Sequence, residues 1–231
     1  MTFSFNLPVN LLFGPAVINE LGKRAGVYGA RALMVTGRGS TKKSGLLDKA
    51  AGLLREAGVE SRVYDGVEPN PTAAQVAEGV RALKDGGADW VLGLGGGSVM
   101  DAAKAIAFMG KNDGDLMDYV YGRRTSAAAY PIVLVPTTCG TGSEANGFAV
   151  VTDSATGDKK SLRGNMIVPR LSLIDPCLMT TMPRRVLAEV GFDALCHCME
   201  AYLSAGAAPV SDIYALEGIR LVRESLVPLY R

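Results

Sequence analysis

Histidine is almost missing from this 231-residue chain: His197 is the only one, and no Ser–His or Cys–His nucleophilic pair is evident around it. An excess of either charge is missing too. Twenty-four Lys and Arg face 23 Asp and Glu, for a net charge of +1 with no basic block. That balance gives no electrostatic footprint for nucleic acid or an anionic membrane. No apolar run approaches the length of a membrane span, and the opening MTFSFNLPVN lacks a signal-peptide pattern. The four cysteines, Cys139, Cys177, Cys196 and Cys198, fit neither a zinc ribbon nor a redox CxxC. Cys196 and Cys198 are two apart on a predicted helix and so point in different directions. All four read as small core residues of a reducing, cytoplasmic protein. There is no internal repeat and no low-complexity tract.

What is present centres on one stretch, Trp90 to Ala107 (WVLGLGGGSVMDAAKAIA). Its first five residues form an apolar run that reads as a buried strand. Three glycines, Gly95, Gly96 and Gly97, lead into a segment rich in Ala, Lys and Ile, which favours helix. Ser98 suits the N-cap, and Asp101 adds negative charge to the first turn. A strand passing through consecutive glycines into a helix N-terminus brings bare backbone N–H groups to one point, which is how phosphate is bound. The competing interpretation is an ordinary tight βα turn, which also favours glycine.

The surrounding chain predicts a repeating strand–helix unit. Residues 3–13 suggest one or two short edge strands, and Pro15 opens a helix carrying Val17, Ile18 and Leu21. Strands are expected over 32–36, 61–64 and 131–136, with helices over 46–54 and 72–84. Asp65 to Pro71 (DGVEPNP) reads as a loop. The alternation argues a parallel sheet covered on both faces, with a ligand at the strands' C-terminal ends. Beyond Pro136 comes a polar, glycine-broken loop, Thr137 to Glu144 (TTCGTGSE), placed to touch whatever the glycines hold. Strands at 148–152 and 171–174 follow, separated by a turn at 153–158. From Pro183 the pattern is wholly helical, with helices from about Arg184 to Ser204 and from about Ser211 onward. The second carries Ile213, Leu216, Leu221 and Val222 as its apolar set.

A second constellation, Gly191 to Tyr202 (GFDALCHCMEAY), contains the lone histidine. Asp193 and His197 are four apart, so on a helix they share a face and can meet one ion. A carboxylate with an imidazole suits Fe²⁺ or Zn²⁺. Taken alone, the same spacing also describes a simple helix-face pair.

Three segments together resemble the iron-containing (group III) alcohol dehydrogenases. They are Gly95-Gly96-Gly97-Ser98 with Asp101 and Lys104, Pro136 to Glu144, and Gly191…Asp193-Ala194-Leu195…His197…Glu200…Tyr202. Asp65 to Pro71 and Ile174-Asp175-Pro176 are similar as well. The likeness runs from about residue 10 to the last residue, nearest to the butanol and 1,3-propanediol dehydrogenase group. It implies an α/β fold of the dehydroquinate synthase-like kind. A Rossmann-like parallel-sheet dinucleotide-binding domain (1–180) is followed by the first helices of an all-α domain (181–231). It implies a nicotinamide cofactor, NADP or NAD, and an Fe²⁺ site that Zn²⁺ also suits. The substrate implied is a small primary alcohol or aldehyde. Such dehydrogenases are commonly dimers or larger.

Carried over residue by residue, Gly95, Gly96, Gly97 and Ser98 cradle the pyrophosphate and Asp101 sits beside the cofactor. Thr137, Thr138 and Thr141 line its ribose and nicotinamide side, and Asn70 closes over the adenosine half. Lys159 lies where the family often has a cofactor-contacting lysine, with Lys160 adjacent. Asp193 and His197 match the first two metal ligands and are the catalytic pair in that sense. After the strand ending at Thr36, an NAD-selective protein commonly places a carboxylate; here Gly37 stands, followed by Arg38, Lys42 and Lys43. That favours NADP, unless the basic residues are only a solvated helix start.

One departure is large. The family's metal has one Asp and three His ligands, and this sequence contains no histidine after His197. The expectation is a fragment or truncated form of a metal-dependent alcohol dehydrogenase. The alternative from another class is a non-catalytic nucleotide-binding remnant serving as an interaction or pseudo-enzyme subunit. A zinc lyase or polyol enzyme on the same fold fits the Thr137–Glu144 loop less well.

Overall fold

The computed structural model describes residues 2–231. Its strands, in chain order, are β1 (Asn10–Phe13), β2 (Arg31–Gly37), β3 (Glu60–Val67), β4 (Trp90–Gly95), β5 (Ile132–Pro136), β6 (Phe148–Thr152), β7 (Lys159–Arg163) and β8 (Leu171–Ile174). The α-helices are α1 (Leu21–Ala25), α2 (Ser40–Lys43), α3 (Leu46–Glu56), α4 (Ala73–Asp85), α5 (Gly97–Met109), α6 (Leu116–Val120), α7 (Arg184–Leu203) and α8 (Pro209–Tyr230). Six strands form one wholly parallel sheet in the order β1-β8-β5-β4-β2-β3. The expected parallel sheet is therefore present.

Both faces are covered because side chains alternate along each strand. Leu33 and Val35 of β2, Val91 of β4 and Leu134 of β5 enter one core beneath α4 and α5. Ala32 and Met34, Trp90 and Leu92, and Val133 and Val135 enter the other, beneath α1 and α3. Gly93 lets α5 lie close to β4, since a Cβ there would stand 2.9 Å from that of Ala103. Thr72 caps α4 through a reciprocal bond with Gln75, a capping box. From β2 the chain passes outward to β3, then returns on the other side of β2 to form β4. The crevice beyond the C-terminal ends of β2 and β4 is thus the topological switch point, where such sheets bind ligands.

Several expectations need correction. Residues 3–13 hold one short edge strand, β1, as expected, but the Pro15 helix is a 3-10 turn (Val17–Glu20) before α1. Strand β3 continues to Val67, so the loop after it begins three residues later than its composition implies. Asp65 lies inside the strand at the irregularity where the β2–β3 register shifts, and it forms an ion pair with Lys42. Strand β7 was unforeseen: Lys-Lys-Ser-Leu-Arg carries little β signal, yet it pairs antiparallel with β6 in a separate ribbon. Leu162 alone of its residues is buried. None of the four cysteines is a core residue; Cys177 is exposed and the others are half-buried, all as free thiols.

Helices α7 and α8 pack against each other, with Gly191 admitting Leu226 and Gly218 admitting Cys198. The apolar set of α8 is not buried: Ile213, Leu216 and Leu221 are exposed, and only Ala215 is enclosed. No helix among the described residues is long and apolar enough to cross a membrane.

Candidate active site

The turn from β4 into α5 differs from its expected cap. Gly96 holds the N-cap position in extended backbone (φ −79°, ψ −172°), and no side chain caps the first turn. Ser98 is already inside the helix, where its Oγ accepts the Asn70 N–H at 3.2 Å. Asn70 takes a left-handed backbone (φ 59°), which Asn tolerates better than most residues. The N–H groups at the head of α5 are therefore free of side-chain competition, which leaves them and the helix dipole for an anion.

These groups open onto a groove of about 890 Å³ lined by Gly37, Arg38, Val67, Glu68, Gly96, Gly97, Ser98, Thr138 and Thr141, among others. Its far wall is α7, through Val186, Glu189 and Val190. A side pocket of about 300 Å³ continues between Thr137, Thr138, Thr41, Leu178 and Met182. The glycines are set by what faces them. A Cβ on Gly96 would stand 3.1 Å from Thr138 Oγ1, and one on Gly97 would stand 2.6 Å from Thr141 Cγ2. Gly95 is different: a Cβ there would meet Val99, so its role is strand–helix packing.

Asp101 does not line that groove. Its carboxylate accepts from Ser143 Oγ–H (2.6 Å) and from the Val150 N–H (3.1 Å). Burial raises its pKa, opposed by Ser143, Lys104 and Val150. Lys159 is exposed on β7 opposite Thr152, whereas Lys160 faces a separate groove with Arg124 and Arg163. The loop from Thr137 to Glu144 is expected to face the glycines, and Thr138 and Thr141 do. Its anchors were missed. Ser172, buried within β8, donates to the Glu144 carbonyl at 2.6 Å, and Lys104 reaches the same loop from α5. Both were legible as polar residues interrupting apolar patterns.

Asp193 and His197 lie one turn apart on α7, with Nε2 3.7 Å from Asp193 Oδ1. The histidine's other nitrogen, Nδ1, is 3.2 Å from the Gly140 carbonyl. A carbonyl only accepts, so Nδ1 carries the hydrogen, and in the neutral ring Nε2 is then the nitrogen left to meet an ion beside the carboxylate. Two acceptors facing each other suit a cation between them, and the Gly140 contact fixes the ring as such ligands require. The pair therefore fits a divalent ion. It fits as half a site: among the described residues no third His, Cys, Asp or Glu joins it, Glu200 included. Gly140 itself (φ +116°) is where the loop meets α7, a Cβ there falling 2.2 Å from the Val190 carbonyl oxygen.

Comparison with known proteins follows the same residues. The family model for iron-containing alcohol dehydrogenase matches residues 8–176, and that for the family's C-terminal region matches 187–231. The chain is 38% identical over 226 residues to the 1,3-propanediol dehydrogenase of Klebsiella pneumoniae, covering 97% of this chain and 58% of that one. It is 34% identical to the NADPH-dependent butanol dehydrogenase of Clostridium saccharobutylicum, over 98% of this chain and 58% of that one. The solved NADH-dependent butanol dehydrogenase A of Thermotoga maritima superposes with a TM-score of 0.93 at 34% identity, covering 99% of this chain and 57% of that one. The chain thus spans less than two thirds of the length of these relatives.

Proposed function

Because the chain belongs to the iron-containing alcohol dehydrogenase family, we propose that it serves hydride transfer between a small primary alcohol or aldehyde and NAD(P). The observation that carries this reading is the uncapped head of α5, facing Thr138 and Thr141 across a groove that ends at the Asp193–His197 pair's own helix. In it, residues 1–180 hold the dinucleotide and 181–231 supply the metal side. The α5 head and Gly96–Ser98 hold the pyrophosphate; the groove's Gly37–Arg38 end takes the adenosine ribose. Asn70, by holding Ser98, fixes the cradle's rim. Asp193 and His197 would hold the divalent ion, Gly140 keeping the imidazole in the tautomer that leaves Nε2 free. When bound, the metal supplies Lewis-acid polarisation of the alcohol oxygen and the nicotinamide supplies hydride exchange. Thr138 and Thr141 close one side of the groove, and Val186 and Val190 narrow the other against water. A dimer or larger assembly belongs to the same proposal.

The second reading, a dinucleotide-binding subunit without catalysis, is favoured by one observation: only two metal donors converge among the described residues.

Cofactor choice tests the groove directly. Gly37 leaves no carboxylate at the end of β2, which removes the usual acceptor for a ribose 2′-hydroxyl. The cations invoked from sequence are not idle, however: Arg38 pairs with Glu68 at 3.0 Å and Lys42 with Asp65. The Arg38–Glu68 pair is exposed (71% and 47%), and such pairs contribute about 0–1 kcal/mol. A dianionic 2′-phosphate makes stronger charge-assisted bonds and should draw Arg38 over to it. NADPH is expected to bind about tenfold more tightly than NADH, a preference that shrinks at high salt. Calorimetric titration with both cofactors checks this. Equal affinities, or tighter NADH, would remove the NADP assignment, and binding of neither would remove the groove's.

A further inference from the structure

Lys104 sits in the middle of α5 with no exposed surface at all. Its neighbours one turn away, Met100 and Phe108, are fully buried apolar residues, so the position lies on the helix's core face. An ammonium there costs several kcal/mol of desolvation unless fully hydrogen-bonded, and an aliphatic side chain would avoid that cost. The lysine's bonds all run to one segment of chain. Nζ donates to Ser143 Oγ (2.9 Å), the Asn146 carbonyl (2.8 Å), Asn146 Oδ1 (3.1 Å) and the Phe148 carbonyl (2.9 Å). Ser143 in turn donates to Asp101, one turn earlier on α5.

That segment has few other anchors. Between β5 and β6 the loop is tied by Thr137 N–H to the Gly95 carbonyl, by the Gly140 carbonyl to His197 Nδ1–H and by Gly164 N–H to the Gly147 carbonyl, with a local turn from Ala145 to Gly142. Ser172 adds the bond to Glu144. Thr138 and Thr141, which face Gly96 and Gly97, lie in the span between these ties. We infer that Lys104 is a positioning residue: its buried ammonium pins the Ser143–Phe148 segment to α5 and so holds Thr138 and Thr141 over the glycine turn. The inference deepens the cofactor-groove reading and rests on it for its binding consequence, though not for its structural one.

The charge matters as well as the bonds. The groups facing Nζ are Asp101 from its own helix and Glu144 from the loop; β6 contributes a carbonyl. Burial pulls the ammonium down to about 8 against the opposing pull of Asp101 and Glu144, and burial raises both carboxyls. Because burial holds the pinned lysine below its free value of 10.5, proton linkage favours the released loop at low pH and the pinned loop as pH rises through about 8, where the neutral amine keeps its shorter bonds without the desolvation cost.

Two readouts on the full chain separate the positioning role from the cofactor assignment. Cys139 lies in the same loop, half-buried, with its thiol pushed up by burial. Its alkylation by iodoacetamide at fixed pH, resolved by peptide mapping, reports loop opening without any ligand. In Lys104→Met, Cys139 should react about tenfold faster, and the dissociation constant for NADPH or NADH should rise about tenfold, the scale of a lost charge-assisted bond. Lys104's share of wild-type affinity should strengthen between pH 7 and 9, and that dependence should vanish in the variant. Asn146→Ala, which removes one acceptor, should show the same signs in smaller measure and serves if Lys104→Met does not fold. Unchanged alkylation and unchanged affinity in a folded variant would overturn the inference. Faster alkylation in a protein that binds neither dinucleotide would keep the loop-pinning role and discard the groove's cofactor.

Discussion

Gly97→Val is expected to raise the dissociation constant for NADPH and NADH by about 100-fold or more, close to 2.7 kcal/mol, in a protein that stays folded. The argument has two parts. Gly97 opens α5, and its N–H is among those left uncapped where phosphate would sit. A branched side chain there intrudes on the anion. It also meets Thr141: even a Cβ would stand 2.6 Å from Thr141 Cγ2, so the loop must retreat from the groove it lines. The fold should survive because the obstacle is a side chain in a loop rather than sheet backbone, and Gly97 has no left-handed φ to lose. Calorimetric titration for affinity, with thermal unfolding as control, is the measurement. Undiminished affinity would mean that the glycines serve only the turn. Gly95→Val is the contrast: its Cβ meets Val99 at 2.8 Å, so its damage should appear in unfolding temperature.

The other large effect concerns metal. The chain as given should retain little Fe²⁺ or Zn²⁺ after dialysis, less than about a tenth of an equivalent, and show no measurable NADPH-linked reduction of butanal. A catalytic divalent site uses about three protein ligands with one position open. Asp193 and His197 supply two, both about half exposed, and no third donor joins them among the described residues. The family resemblance points to two further histidines that this sequence does not contain. Helices α7 and α8 also expose the large apolar side chains Phe192, Leu203, Ile213, Tyr214 and Leu229, which should drive association at high concentration. Metal analysis, the butanal assay and sedimentation at two concentrations measure all three. Near-stoichiometric retained metal, with turnover lost in His197→Ala, would overturn the prediction.

Much of this was legible in the sequence, for identifiable reasons. Strands β2, β4 and β5 are apolar on both faces, and only a parallel sheet covered on both sides buries such runs. The apolar spacing over 72–84 announces α4, and Gly95-Gly96-Gly97 between β4 and α5 announces the turn on which the groove is built. The Asp193–His197 spacing puts both side chains on one face of any helix. Each of these signals is local, carried by residues within one or two turns of each other.

Other features were decided by tertiary structure because each depends on a partner distant in the chain. Ser98 has the right chemistry for an N-cap, but the sheet hands that position to Gly96 and Asn70 claims the hydroxyl from 28 residues away. Arg38 and Lys42 look like free cations until β3 brings Glu68 and Asp65 beside them. Strand β7 has almost no propensity of its own and exists because β6 offers it a ladder. The tautomer of His197 is set by the Gly140 carbonyl, 57 residues earlier. The sequence by itself determined which elements form and which faces they bury, since period and polarity are written residue by residue. Only the packed structure decided which polar groups meet, because a buried ammonium such as that of Lys104 must find its acceptors wherever the fold has left carbonyls unpaired.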